Sequence, residues 1–489
     1  MPLTSLDTFI IETKHFSSMQ SGYPKPRHPV LNRLPKEEIE NRVRTYIVRN
    51  PLTFRPASEI SASVRTGHVP LYDISSTDKV LLVAANEFDH DVIDAYAKVL
   101  RESGAKVDLY LRDIGTFSSP EDAAAQEAKS LIPGIDNYVY SVMCNVIDSR
   151  TAKALIESDR YSVLVGGMGP QPESVSHKWI RLMHVYNEEV ASQAIETPRE
   201  LRFAIDHKVW DQLSSMEKCR FTDPEGTDFS WTQYDDERVM SVGHEFAKPA
   251  HISHGGKADC TGVVAGTINH LGAFPHVKAF LKDDLVIKVE GGGKYGDAWR
   301  EKIEELNSLL LPDPPLRHSK NMKGTFKLPG PGFFWFFEMA IGTSPKVFRQ
   351  PRESKFECFA NFLHDRERSG YVHHGFGAPS GTQSSYTHAN IPWTHVHIHS
   401  MFGTLEGETK DGHRVTVIDK GHLTALDDPE VRVIASKFGD PDNLLSEDWI
   451  PAVPGINVDG DYWKDYASDP AKWIMRGGSA KVVSSNLDN

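Results

Sequence analysis

The ten residues Thr394-His395-Val396-His397-Ile398-His399-Ser400-Met401-Phe402-Gly403 set three imidazoles at alternating positions. In an extended strand, successive side chains point to opposite faces. His395, His397 and His399 then share one face, while Val396, Ile398 and Phe402 turn toward a core. Neutral imidazole is a common ligand for divalent transition metals, and two of them one residue apart on a rigid strand supply two ligands compactly. The pattern points to a metal enzyme. An edge strand carrying solvated histidines would show the same letters.

Three further segments could converge on this strand. In Phe333-Phe334-Trp335-Phe336-Phe337-Glu338-Met339-Ala340-Ile341-Gly342 the carboxylate Glu338 sits in an apolar run, where burial is costly unless a metal or cation meets it. A solvated strand end would relieve the same cost. In Tyr371-Val372-His373-His374-Gly375-Phe376-Gly377 the glycines permit close backbone approach to a site. Gly243-His244-Glu245-Phe246, with His251 and His254 after it, is the third, and solvated loop residues are its plainer reading. Glu338, His397 and His399 together make two imidazoles and one carboxylate. Non-heme iron(II) oxygenases use that set and keep one face open for substrate and dioxygen. Adding His373 or His244 would give a fuller or two-metal site, of the kind that activates water for hydrolysis.

The elements that must position these residues follow from the rest of the chain. At 489 residues two or three domains are expected. We read residues 1–70 as an irregular arm with a helix near Lys36 to Asn50, 71–218 as an α/β domain and 219–489 as a β-rich metal-site domain with a C-terminal extension. Val80 to Ala85 is a buried-strand run, His90 to Ser103 a helix closed by Gly104, and Lys106 to Leu111 the next strand. Ser119 to Ser130 reads as a helix, and Tyr138 to Val142 and Tyr161 to Val165 as strands. This is the rhythm of a parallel sheet covered by helices. Gly166-Gly167-Met168-Gly169 is a turn, since no phosphate-binding pattern surrounds it. Arg199 to Lys218 reads as a long helix with Thr197 as N-cap. Cys219 to Thr222 and Asp228 to Trp231 form a hairpin, and an amphipathic helix follows over Asp297 to Leu310.

Composition narrows the partners. A net charge of -13 argues against nucleic acid. No apolar run is long enough to span a bilayer. Cys144, Cys219, Cys260 and Cys358 form no CxxC pair, which suits free thiols in the cytoplasm. Met1 to Phe16 lacks the pattern of a signal peptide, so a cytoplasmic protein is expected. The prolines of the arm suit wrapping around a neighbouring subunit, hence a homo-oligomer.

Several of these pieces, in order, resemble the superfamily shared by aminopeptidase T-type metallopeptidases and 2,5-dihydroxypyridine 5,6-dioxygenase. Asp73 to Asp113 resembles its first strand-helix-strand unit, and Asp223-Pro224-Glu225-Gly226-Thr227-Asp228 its hairpin. Glu338-Met339-Ala340-Ile341-Gly342-Thr343-Ser344-Pro345 is similar to its metal-site strand, and His373-His374-Gly375-Phe376-Gly377 to its His-Ile-Ala-Leu-Gly segment. His397-Ile398-His399-Ser400-Met401-Phe402-Gly403 is similar to its His-x-Asp-x-Met-x-Gly strand. By resemblance, Glu338, His373 and His397 fall on ligand positions of the peptidase branch, and His244 falls near its other glutamate. Two departures follow: His399 stands where the family has Asp, and His244 where peptidases carry a bridging glutamate. Loss of those carboxylates weakens the two-metal reading. The peptidase tyrosine has no clean counterpart, with Ser380 at that spacing and Tyr386 after a short insertion.

The expected protein is therefore an α/β protein whose β-rich part holds a metal. The first expectation is a mononuclear iron(II) dioxygenase acting on dioxygen and a small substrate, aromatic rings included. Glu338, His397 and His399 would hold the ion, with His373, His374, His395 or Tyr386 for proton transfer or orientation. Phe333, Phe334, Trp335, Phe336 and Trp393 could line a flat pocket or simply form core. The second expectation is an aminopeptidase-like hydrolase using zinc, cobalt or manganese with His244, Glu338, His373, His397 and His399. A scaffold that has lost its metal is the third.

Overall fold

In the computed structural model, the apolar run Val80 to Ala85 lies within strand β1 (Lys79–Ala85) and is buried on both faces. The structure describes residues 20, 22–27, 32–49, 71–86, 88–112, 118–129, 154–166, 179–181, 184–233, 240–241, 244–246, 259–307, 318–321, 324–327, 334–347, 367–377 and 394–474. β1 pairs in parallel with β2 (Lys106–Arg112) and β3 (Val163–Gly166), and β3 with β4 (Trp179–Arg181). Parallel neighbours need crossovers. Helices α2 (His90–Glu102) and α3 (Pro120–Lys129) lie in them, after α1 (Lys36–Arg42). Val80, Leu82 and Ala84 pack with Ile39 of α1 and with Ile93, Tyr96 and Leu100 of α2. Leu81, Val83 and Ala85 face a second core that contains Ala123 of α3, Leu271, Tyr371 and Tyr462. Asp89 caps α2 by accepting from Asp91 N at 3.1 Å, an interaction worth about 1 kcal/mol. The strand expected at Tyr138 to Val142 lies outside the described residues, as do Gly167 to Gly169.

The helix Arg199–Ser215 leads into the second sheet. It ends before Lys218 because Met216, Cys219 and Phe221 turn inward on a strand instead. Its N-cap is Pro198; the Thr197 hydroxyl donates backward to Gln193 O at 3.3 Å. The strands that follow are β5 (Met216–Thr222), β6 (Asp228–Thr232), β7 (Met240–Ser241), β8 (His244–Phe246), β9 (Thr261–Ile268), β10 (Ala273–Lys282) and β11 (Leu285–Gly291). β12 (His318–Asn321) and β13 (Gly324–Lys327) form a separate hairpin. Then come β14 (Trp335–Gly342), β15 (Val372–Gly377), β16 (His395–Ser400), β17 (Thr404–Thr409), β18 (Arg414–Asp419) and β19 (His422–Leu423). Apart from β12 and β13, the strands from β5 on make one 13-stranded sheet in the order β16-β15-β14-β11-β10-β9-β6-β5-β17-β18-β19, with β8 paired to β14 and β7 to β8. The fold is thus mixed α/β, with a small parallel sheet and a large antiparallel one.

Two features shape the ground around β16. Gly291, Gly292 and Gly293 all have positive φ, and the helix Gly293–Asn307 starts on the third glycine, ahead of the expected Asp297. Its Trp299 and Leu306 reach the main core, while Leu310 lies outside the described residues. β16 ends the strand order yet is not an open edge, because β9 folds against it. A Cβ on Gly266 of β9 would come 2.7 Å from Ile398 Cγ2 and 3.0 Å from His399 O. Gln20 N donates to Ile456 O at 3.1 Å and Arg27 bridges Ile450, so this stretch of the arm is tied to a later segment of the same chain. No described helix is long and apolar enough to cross a membrane.

Candidate metal centre

His395, His397 and His399 share one face of β16, and Val396 and Ile398 enter the main core on the other. His397 and His399 are buried, so the solvated-edge reading does not hold. The antiparallel register sets His373 opposite His399 and Gly375 opposite His397, which brings His373 onto the same face. His374, opposite Ile398, points the other way. Its ring packs on Phe221, Phe229 and Phe336, and its Nε2 lies 3.1 Å from Ser400 Oγ. The proton-transfer role considered for His374 therefore gives way to core packing.

Glu338 reaches the histidine face through an irregularity. In a regular strand Phe336 and Glu338 would project together, yet Phe336 stacks on Phe376 in the core at 4.9 Å. The β14–β15 register shifts between Phe336 and Glu338, leaving Phe337 as an extra residue. Such a bulge re-aims the next side chain. Glu338 Oε1 then lies 2.9 Å from His373 Nε2, and Oε2 lies 3.2 Å from His395 Nε2. Burial would raise the Glu338 carboxyl, but the flanking His373 and His395 hold it well below the usual carboxylate range.

Two residues enter the cluster that the sequence reading missed. His270, in the turn between β9 and β10, places its ring 3.9 Å from that of His397, 4.6 Å from His399 and 5.3 Å from His373. Glu127 of α3 is buried, and its Oε1 lies 2.7 Å from His397 Nδ1 while Oε2 accepts from His397 N at 3.2 Å. Burial pushes Glu127 well above the usual carboxylate range, opposed by hydrogen bonds from His397 N and Asn269. Burial likewise holds His397 well below the usual imidazole range, aided by His395 and His373. A neutral ring is the form that binds a metal.

Among the described residues, two groups have ligand atoms all within 4.8 Å of one another: Glu338 with His395 and His397, and His270 with His373 and His397. Both are donor sets that a transition metal accepts. His399 stands outside both groups, its Nδ1 2.8 Å from the Tyr371 hydroxyl. Of the expected trio, Glu338 and His397 fall in one group, with His395 beside them, and His399 lies outside it. His244 lies opposite Gly342 where β8 runs beside β14, and its side chain is outside the described part. Tyr386, Ser380, Phe333, Trp393, His251 and His254 also lie outside it. Phe334 and Phe336 belong to the main core, and Phe337 packs edge-on to His395 at 4.9 Å.

Gly375 leaves the space these donors need. A Cβ there would come 3.0 Å from Glu338 Oε2 and 3.1 Å from His395 Nε2. Gly375→Ala is expected to wedge the carboxylate away from the imidazoles and weaken metal binding by roughly 10-fold or more, comparable to losing a partner that orients a ligand. Chelator competition on the folded variant measures this, and unchanged affinity would mean the cradle is not used.

No family model and no curated protein matches the chain. Among solved structures, it is similar to the 2,5-dihydroxypyridine dioxygenase from Pseudomonas putida KT2440, with a TM-score of 0.47 and 12% identity over 81% of this chain and 98% of that chain. It is also similar to wild-type AmpT from Thermus thermophilus, with a TM-score of 0.40 and 14% identity over 79% of this chain and 99% of that one.

Proposed function

We propose that Glu338, His395 and His397 hold one iron(II) ion, and that the protein is a mononuclear non-heme dioxygenase that oxidises or cleaves a small organic substrate, aromatic rings included. The observation that carries this reading is the convergence of two imidazoles and one carboxylate within 4.8 Å. A single ion is favoured because both groups need His397, and its Nδ1 is engaged by Glu127. One ring nitrogen then remains, and it serves one metal. Glu338 is also the sole carboxylate in the two groups, whereas paired ions are held together by bridging oxygens.

When bound, the ion would supply redox chemistry toward dioxygen and open coordination positions. The protein's own part is positional. His373 holds Glu338 Oε1, which leaves Oε2 beside His395. Phe337 covers one side of His395 and keeps it apolar. The Tyr371 hydroxyl and His399 Nδ1, 2.8 Å apart, form a buried pair beside His270 that can hold or move a proton.

A second reading rests on the three buried imidazoles His270, His373 and His397, a set suited to zinc, cobalt or manganese in a water-activating hydrolase. One experiment separates the two. Protein reconstituted without air with ferrous iron is supplied with a panel of small hydroxylated aromatic compounds, and dioxygen uptake is recorded. Uptake matched to substrate loss, abolished in His395→Ala and retained in His270→Ala, is expected. Peptide hydrolysis without uptake, lost in His270→Ala, would replace the dioxygenase with the hydrolase.

A further inference from the structure

The helix α3 reaches the centre from the parallel-sheet part of the chain and hydrogen-bonds residues there. Besides the two bonds from Glu127 to His397, its Ala124 O accepts from Asn269 Nδ2 at 3.1 Å. Asn269 immediately precedes His270, and its Oδ1 accepts from Leu271 N and Gly272 N, which folds the turn that carries His270. Gly272 lies so close that a Cβ on it would come 2.0 Å from Pro120 O. At the other end of the network, the Tyr295 hydroxyl donates to His397 O at 2.7 Å. The helix is itself anchored: Lys294 N donates to Glu121 Oε1 at 2.7 Å, and Lys294 Nζ pairs with Asp122 at 2.6 Å.

We infer that Glu127 is a positioning residue for the metal centre: it grips the Nδ1 edge of His397 so that Nε2 faces the other donors, and α3 seats the His270 turn beside it. The inference rests on the reading of the cluster as a metal centre. A ligand imidazole whose second nitrogen is held by a carboxylate has its ring orientation set in advance, and losing such an outer partner commonly weakens metal binding 10–100-fold. Glu127 touches neither substrate nor ion in this arrangement. Its effect passes through His397, whichever of the two donor groups is filled.

The test compares Glu127→Ala, Glu127→Gln and the helix-loosening control Ala128→Gly. Cobalt(II) affinity is measured by chelator competition, with the visible spectrum of the bound ion as a record of ligand geometry. Proton spectra of the metal-free protein are recorded alongside, because the short Glu127–His397 bond should give an exchange-protected, far-downfield signal. Expected is a 10–100-fold weaker affinity and an altered spectrum in Glu127→Ala. Glu127→Gln is expected to lose less, since its carbonyl can still accept from Nδ1, although its amide, a donor, cannot accept from His397 N as Oε2 does. Ala128→Gly should bind as the parent does, and the downfield signal should vanish in Glu127→Ala alone. Should Glu127→Ala not fold, Glu127→Gln decides by its cobalt affinity and spectrum. Parent-like affinity and an unchanged cobalt spectrum in a Glu127 variant overturn the inference. If the parent chain binds no cobalt, the metal-centre reading fails by itself, and the proton signal still decides: its persistence in Glu127→Ala overturns the positioning role.

Discussion

His397→Ala is expected to leave the protein without its metal and without turnover. This imidazole is common to both donor groups, so neither a two-imidazole-one-carboxylate site nor a three-imidazole site survives its removal. Loss of a ligand should exceed the 10–100-fold typical of an outer-shell partner, so an affinity drop of more than about 100-fold is the minimum. A second cost accompanies the first. The ring is the side-chain partner of Glu127 Oε1, and the variant strands that oxygen in a buried site. Leaving a buried hydrogen-bond acceptor without its partner costs roughly 1–3 kcal/mol. The metal-free variant should therefore melt below the metal-free parent. Pairing Glu127→Gln with His397→Ala should recover part of that difference. Elemental analysis and thermal unfolding read both effects. A His397→Ala protein that keeps stoichiometric metal would remove the central assignment.

What could be read in the sequence was the part governed by local periodicity. Alternation on β16 placed His395, His397 and His399 on one face, and Val80 to Ala85 declared a strand buried on both sides. That His395, not His399, lies beside Glu338 and His397 has a reason that no local pattern carries. Glu338 is turned by the bulge at Phe337, and the cross-strand register then sets its Oε2 against His395. Bulges are decided by pairing between strands far apart in the chain. His270 was hidden because it stands alone in a turn, with no spacing to mark it. Glu127 left a fainter trace: it is the acid in Ala123-Ala124-Ala125-Gln126-Glu127-Ala128, where the neighbouring alanines are buried. An acid on the buried side of a small-residue helix needs a partner. Its partner lies 270 positions away, which only the tertiary fold supplies.

The metal-free protein is expected to lose stability as pH climbs from about 4 to about 8, through a buried acid pair behind the centre. Asp223 and Glu225 sit in the β5–β6 turn, both buried. Glu225 Oε1 accepts from Thr267 Oγ1 at 2.9 Å and from the Tyr462 hydroxyl at 2.8 Å, while Asp223 accepts from Glu225 N and Phe402 N. Burial lifts Asp223 to about 7 and, with the neighbouring Asp223, lifts Glu225 to about 8. An acid whose folded pKa is raised binds its proton more tightly in the folded state. Its stabilisation is complete below the unfolded pKa near 4 and is lost as pH climbs through 7 and 8. Either acid alone would carry on the order of 4 kcal/mol across that window. Asp284, pushed to about 8 by burial, adds a loss of the same sign. The acid side is limited by the opposite case. Burial lowers His276 to about 4, so its contribution is present above the unfolded imidazole pKa and is lost as pH falls toward 4. Urea midpoints of chelator-treated protein at about pH 4.5 and 8.5 bracket this falling limb. Glu225→Gln keeps an oxygen for Thr267 and Tyr462 but no longer titrates, so it should flatten part of that limb, and adding Asp284→Asn should flatten more. If Glu225→Gln falls as steeply as the parent, the turn acids do not hold the protons that the fold imposes on them.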